Sequence, residues 1–380
     1  MITTSADTLA IIFPNIYDRL VPDLSRDRLM ASIPFGSRYR MIDFLLSSLV
    51  NSGVDNIGVI VRENYYSLLD HIGTGREWDL ARKNGGINIF PPYARRSIGM
   101  YNGRIEALSS IMGFLKEAKE KYVVMADTNI AMNFDFSDLI ARHAASGADV
   151  TVAYKKEPLP KSAMRAMDSS KGYYYSLVLD GDRVVKMNIN PQATGNINFG
   201  MNIYICEREW LIEMVREAHS RGAVDFERDI LIPHMYDCVI NAYEFTGYTA
   251  RISSLQEYFA ENMKLLEGDN LDKLFNGGQI YTKIRDDNPT RYVGNAKAEN
   301  VLVADGCVIE GTVENSILFR GVKIAKGAVV KNCILMQDTI VGEDVVLDHV
   351  ITDKKVTISA GASLKGEESF PVYIAKGKEV

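Results

Sequence analysis

Residues 322–347 read VKIAKGAVVKNCILMQDTIVGEDVVL, and the spacing of their aliphatic side chains decides how the chain ends. Val322, Ala328, Ile334, Ile340 and Val346 recur at every sixth position, and Ile358 continues the series beyond a break at Thr352. Leu318, Ile324, Val330 and Met336 form a second series with the same period. That spacing fits neither the ~3.6 of a helix nor the ~2 of a strand. It marks a parallel β-helix, in which each hexapeptide builds one side of a coil and the repeated aliphatic residue stacks inside. Several ordinary strands are the competing reading, but the series persists over successive units. Residues 296–380 are therefore expected to form the β-helix, a scaffold that carries little chemistry and more often packs subunits together.

Upstream the pattern differs. Short β-branched runs at Leu9–Phe13, Asn56–Val61, Tyr122–Ala126, Asp149–Tyr154, Asn202–Ile205 and Val239–Tyr243 alternate with helical spacing at Met41–Ser52, Ile105–Glu120 and Phe136–Ser146. Such alternation predicts a mostly parallel sheet with helices on both faces. A polar stretch rich in Asn, Gly and Asp marks a linker at 267–295 and leaves 1–266 as the first domain.

With 380 residues, 47% of them hydrophobic, the chain can bury a sizeable core. A formal charge of -6 and no basic stripe argue against nucleic acid as a partner. No run has the length of a membrane span, and MITTSADTLAIIF lacks the basic region that precedes a secretory apolar run, so a cytoplasmic protein with no membrane partner is expected. Cys206, Cys238, Cys307 and Cys333 form no CxxC pair and read as free thiols, with no metal site.

The first strand raises a chemical question. In LAIIFPNIYDRLVPDL (Leu9–Leu24) an apolar run approaches the place where α/β proteins put a glycine-rich phosphate cradle, yet Pro14, Asn15, Ile16 and Tyr17 follow. Pro14 lacks an amide, and β-branched residues avoid the positive φ that such cradles use.

The blocks IPFGSRYRMIDFLLSSLVNSGVDNIGVIV (Ile33–Val61), DHIGTGREWDL (Asp70–Leu80) and VDFERDILIPHM (Val224–Met235), with the C-terminal hexapeptides, closely resemble bacterial glucose-1-phosphate adenylyltransferase, or ADP-glucose pyrophosphorylase. The resemblance runs essentially end to end. It implies an α/β, Rossmann-like nucleotidyltransferase (GT-A-like) domain, here 1–266, followed by a left-handed parallel β-helix, a tetrameric assembly, and synthesis of ADP-glucose from ATP and glucose 1-phosphate.

Set against that family, the reacting positions of this chain are altered. The family loop GGxGxRL reads Pro14, Asn15, Ile16, Tyr17, Asp18, Arg19, Leu20, so the cradle is expected to be shut to a triphosphate. Arg19 survives, either to touch an anion or as a surface arginine. Met30 stands at the lysine of AKPA, where a thioether cannot pair with phosphate. Asp127 matches the metal carboxylate of GDH, although a strand-end aspartate is also an ordinary turn residue. Arg251 stands at the second carboxylate, in DVGT. A guanidinium there would repel Mg²⁺ by about 8 kcal/mol at ~4 Å and an effective dielectric of ~20. Ile189 and Asn190 replace the first residues of the sugar-binding EKP, and Arg104 and Ile105 replace small residues of the GTA segment.

The pattern is similar to the GlgD-type, non-catalytic subunits of this family, which co-assemble with a catalytic GlgC-type chain. It implies a regulatory subunit of a hetero-oligomer, with homo-oligomers open as well. No cofactor of its own is expected, Mg²⁺ belonging to the catalytic partner. Arg26 and Arg28 match positions that contact phosphorylated effectors in the family; a solvated charge cluster with Asp23 and Asp27 is the alternative. An active transferase with rebuilt ligation, or a sensor of sugar nucleotides, are the competing functions.

Overall fold

The computed structural model describes residues 5–14, 17–83, 85–92, 101–160 and 174–380. The first domain is built on a nine-stranded sheet. Its strands are β1 (Thr8–Phe13), β2 (Asn56–Ile60), β3 (Gly86–Phe90), β4 (Tyr122–Asp127), β5 (Val150–Pro158), β6 (Tyr175–Asp180), β7 (Arg183–Ile189), β8 (Asn196–Glu207) and β9 (Ile240–Glu244). They lie in the order β3-β2-β1-β4-β8-β5-β9-β7-β6. The helices that position the sites are α1 (Met41–Asn51), α2 (Tyr66–Ile72), α3 (Arg104–Ser110), α4 (Met112–Glu117), α5 (Phe136–Ser146), α6 (Arg208–Ser220) and α7 (Leu255–Met263).

β1 shows how the layers arise. Successive side chains of a strand point to opposite faces. Leu9, Ile11 and Phe13 join Ile105 and Leu108 of α3, Leu115 of α4 and Leu211 of α6 in one core. Ala10 and Ile12 join Leu45 and Leu49 of α1 and Leu139 of α5 in another.

The sheet is mixed, where a mostly parallel one was expected. β2, β1 and β4 run parallel, as do β5 and β9, but β8 is antiparallel to both of its neighbours, β4 and β5. β6 and β7 are joined through Gly181 and Asp182 alone, with Asp180 opposite Arg183. So short a connection can link only antiparallel strands, since a parallel return needs a crossover of a dozen residues or more.

The second domain is a parallel β-helix, but its coil is not three hexapeptides long. Along the ladders Val313 pairs with Val330 and Val330 with Leu347, and Ile324 pairs with Val341 and Val341 with Ile358. Each of these central steps is 17 residues, whereas Val308 to Lys323 is 15 and Val350 to Val372 is 22. A strict period of six therefore slips outward by one residue per coil. Val322, Ala328 and Ile358 are interior as expected, whereas Ile340 and Val346 are 43% and 45% exposed. Val341, Val345 and Leu347 fill the interior in their place. The ladder also begins within the stretch assigned to the linker, because Arg291 pairs in parallel with Val308. A short helix, Asn270–Phe275, lies in that stretch as well.

The two domains share a third core. Ile317, Ile334 and Ile351 point out of the β-helix and join Tyr258 and Phe259 of α7, together with Phe35 and Phe44. Beside it Arg28 and Asp353, each 3% exposed, form an ion pair in which one guanidinium nitrogen lies 2.6 Å from both carboxylate oxygens. Among the described residues no helix is long and apolar enough to cross a membrane. All four cysteines are free.

Candidate functional site

β1 ends at Phe13, level with Asp127 at the end of β4. Parallel α/β sheets place ligands beyond such strand ends. Here the chain turns back into protein. The Pro14 carbonyl accepts from the Ala31 N–H at 3.1 Å, and Asp18 Oδ1 accepts from the Met30 N–H at 2.6 Å. Burial pushes the Asp18 carboxyl up to about 7, against the pull of the Met30 N–H and of Arg62. Tyr17, 2% exposed, reaches inward, where its hydroxyl meets the side chains of Asn202 and Asp127. Met30 is buried in the core shared with the β-helix, and Arg19 is exposed. Asn15 lies outside the described residues.

Asp127 is engaged through Oδ2, while its Oδ1 is buried without a hydrogen-bond partner among the described residues. The Arg104 guanidinium donates through Nη2 to Asp127 and through Nη1 to Glu227, and Tyr204 donates its hydroxyl to the same Glu227. Each of these four side chains is at least nine-tenths buried. Arg104 is aimed here because α3 starts against Val224: the Ile105 N–H donates to the Val224 carbonyl at 3.2 Å. The preceding residue must be Gly103, since a Cβ there would sit 2.3 Å from that carbonyl oxygen. Glu227 comes from the π-helical turn Glu227–Leu231. Two carboxylates share one guanidinium in a dry site. Burial and Glu227 push the Asp127 carboxyl up to about 7 although Arg104 pulls the other way, while burial weakens the Arg104 charge less than the two carboxylates strengthen it.

A divalent ion at Asp127 does not fit this donor set. The guanidinium already binds one oxygen of each carboxylate, and a second cation would meet its charge at close range. The sequence assigned that repulsion to Arg251, which the structure corrects. Arg251 binds Glu157 at 3.0 Å and the Gly200 carbonyl at 3.2 Å and covers the Phe199 ring at 4.0 Å. The local sequence explains the change of partner: Thr249–Arg251 pairs as a strand with Ile130–Met132, which carries the side chain toward Glu157 of β5.

On the sugar side the described residues leave little room. The cavity bounded by Tyr174, Tyr175, Ile189, Asp225, Glu227 and Arg228 measures about 10 Å³, room for roughly one water. Asn190 takes a positive φ of 45° and donates its N–H to the Tyr174 carbonyl at 2.7 Å. Asn202, also left-handed, sits at an irregularity in the pairing of β8 with β5, where its N–H donates to the Tyr175 hydroxyl at 3.1 Å.

Among the described residues an open cleft lies elsewhere, between the domains. It encloses about 500 Å³. Arg28, singled out by sequence as an effector contact or a solvated charge, is neither: its pair with Asp353 is buried in the domain seam. Arg26 is exposed and is not among the cleft's walls. The cleft is walled by the turn Ser37–Arg40, by α2, by Lys283 and Arg285, and by corners of the β-helix. Arg38, Lys283 and Arg285 have carboxylate partners in Asp305, Asp70 and Asp287. Arg40, Arg320, Lys354, Lys355 and Lys376 have none within 4 Å among the described residues. Arg320 is 8% exposed and its Nε makes no hydrogen bond. Burial lowers the Arg40 pKa to about 10 even though Asp43 opposes it. Five cations without counter-ions around one cavity are the composition of an anion site.

Sequence reasoning noted Arg104 as a substitution but not as the partner of Asp127, and it passed over Glu227 inside a framework block. Glu227 lies within the charged run Asp225-Phe226-Glu227-Arg228-Asp229, where nothing in the linear sequence distinguishes it from its neighbours.

Comparison with known proteins agrees with this architecture. A nucleotidyl transferase family model matches residues 18–163, and a GlmU-like C-terminal hexapeptide model matches residues 284–369. The glycogen biosynthesis protein GlgD of Bacillus subtilis is 32% identical over 371 residues, covering 97% of this chain and 96% of its own. The glucose-1-phosphate adenylyltransferase of Bacillus mycoides is 29% identical over 365 residues, covering 93% and 94%. A sheet ending in a nucleotide-site remnant, a hexapeptide β-helix and near full-length similarity together make this chain a GlgD-type member of the glucose-1-phosphate adenylyltransferase family.

Proposed function

We propose that the chain acts in glycogen biosynthesis as a regulatory subunit that does not itself transfer an adenylyl group. In this reading it modulates a catalytic glucose-1-phosphate adenylyltransferase chain within a cytoplasmic hetero-oligomer. The observation that carries it is the Arg104 guanidinium bound between Asp127 and Glu227, where transfer from ATP would need a metal ion to neutralise the departing pyrophosphate. The Tyr17 side chain and the small sugar-side cavity support it independently. The chain then needs no cofactor of its own, and Mg²⁺ remains with the partner.

Regulation requires that the partner's affinity or rate differ between its free and assembled states. The interdomain cleft supplies a place where a phosphorylated effector would bias that difference, because it touches both domains at once. The test is to mix the chain with a catalytic subunit and measure complex mass, kcat, KM and effector response. Changes in these parameters that saturate at a fixed ratio are expected. Kinetics untouched by a stoichiometric excess would refute the reading.

A further inference from the structure

The two ends of the β-helix are finished differently. At the far end the C-terminal residues close the last coil: the Thr357 N–H donates to the Lys378 carbonyl at 2.9 Å and the Val380 N–H to the Thr357 carbonyl at 3.0 Å. At the near end the strand Lys297–Val303 pairs with Thr312–Leu318 and, among the described residues, with no other strand. Its first four residues are exposed. Lys297 donates its N–H inward, to the Gly311 carbonyl at 3.1 Å. Backbone groups of successive strand residues point to opposite sides, so Ala298 turns its N–H and C=O to the open edge.

That edge is held in shape from within. Asn300, Asn315 and Asn332 occupy one left-handed corner of successive coils, with φ of 51°, 44° and 50°. Their side chains hydrogen-bond in a column, Asn300 to Asn315 at 2.9 Å, Asn315 to Asn332 at 2.7 Å and Asn332 to Asp348 at 3.0 Å. A strand fixed in this way loses little entropy when it pairs.

The outward side chains carry charge in register. Glu314, Lys331, Asp348 and Lys365 follow one another across the ladder with alternating sign, Glu314 and Lys331 being 2.7 Å apart. Glu299 breaks the alternation: it lies opposite Glu314 and has no cation within 4 Å among the described residues. Like charges directly opposite are unfavourable. Lys297, two positions away on the same face, has no acid within 4 Å among the described residues. Charges of one sign guard an edge strand against a second copy, whereas opposite signs placed symmetrically about Ala298 match one.

We propose that a second copy of this chain docks on this edge, its Lys297–Asn300 segment running antiparallel about a two-fold axis at Ala298. The two Ala298 residues then exchange N–H···O=C bonds, and Lys297 of each copy stands opposite Glu299 of the other in the closely spaced, non-hydrogen-bonded pairs. Such a contact is isologous and closes after two copies. It does not depend on the regulatory reading above.

Sedimentation equilibrium of the full chain over a range of concentrations tests it. Reversible self-association is expected, and Lys297→Glu or Glu299→Lys, each of which sets like charges opposite, should raise the dissociation constant about tenfold or more. The double variant Lys297→Glu/Glu299→Lys exchanges the signs and should restore the wild-type constant. Should a variant fail to fold, amide hydrogen exchange of the wild type still decides, since the Ala298 N–H should become protected as concentration rises. A wild type that stays monomeric, or one that associates without protecting Ala298, would overturn the proposal, as would a double variant no better than the single ones. Assembly that appears only when a catalytic glucose-1-phosphate adenylyltransferase chain is added would also overturn it and leave the regulatory reading standing.

Discussion

At the scale of single residues, Arg104 carries the account. One guanidinium binds two buried carboxylates and sits near the rings of Phe13 and Tyr204, 5.8 and 5.7 Å from their centroids. Removing one member of such a group leaves uncompensated charge in a dry site, which costs about 3–5 kcal/mol. Arg104→Met should therefore lower unfolding stability by about that amount, and adding Glu227→Gln should recover part of it, as a double-mutant cycle in urea denaturation would read. Additive losses would mean that the two groups are not coupled. The sequence made half of this cluster legible. Asp127 and the substitution at Arg104 were both visible, but nothing linear joins position 104 to 227, because the turn that carries Glu227 approaches α3 only through the folded chain. Arg251 failed for the same reason: its alignment to a metal ligand was a statement about the family, and its side chain follows the short strand pair to Glu157 instead.

At the scale of elements, the β-helix separates what a period can and cannot reveal. The hexapeptide series identified the fold, since no helix or hairpin repeats at six. It could not fix which residues point inward after the first coil, because one side of each 17-residue coil is a residue short and shifts the phase. Adjacent residues then have opposite environments. Val341→Asp, which buries an unpaired charge, should destabilise the β-helix by about 4 kcal/mol or more, while Ile340→Asp should change stability by no more than about 0.5 kcal/mol. Circular dichroism during urea denaturation would distinguish them, and equal losses would contradict the assigned phase. The mixed sheet teaches a related lesson. β1, β2 and β4 were legible as short apolar runs, whereas burial along β6 and β7 follows no regular alternation and polar residues such as Ser176, Arg183, Lys186 and Asn188 interrupt them.

At the scale of the whole molecule, the chain retains the scaffold of a nucleotidyltransferase, with buried side chains of its own at the ends of β1 and β4. Tyr17 and Arg104 fill the positions beyond β1 and β4, and the sugar-side cavity is about 10 Å³, against about 500 Å³ between the domains. Among the described residues a large cavity lined by cations without ion-pair partners lies at the seam, where the first domain meets the β-helix through a shared apolar core and the buried Arg28–Asp353 pair. A ligand there would bear on how the two domains sit together, which is what a subunit that acts through contacts requires. The central claim is that the ancestral site is closed to chemistry. It is tested most directly by pyrophosphate exchange with the purified chain alone, over a panel of nucleoside triphosphates and sugar 1-phosphates in the presence of Mg²⁺. Exchange indistinguishable from the buffer background is predicted; Mg²⁺-dependent exchange that disappears in Asp127→Asn would contradict the account.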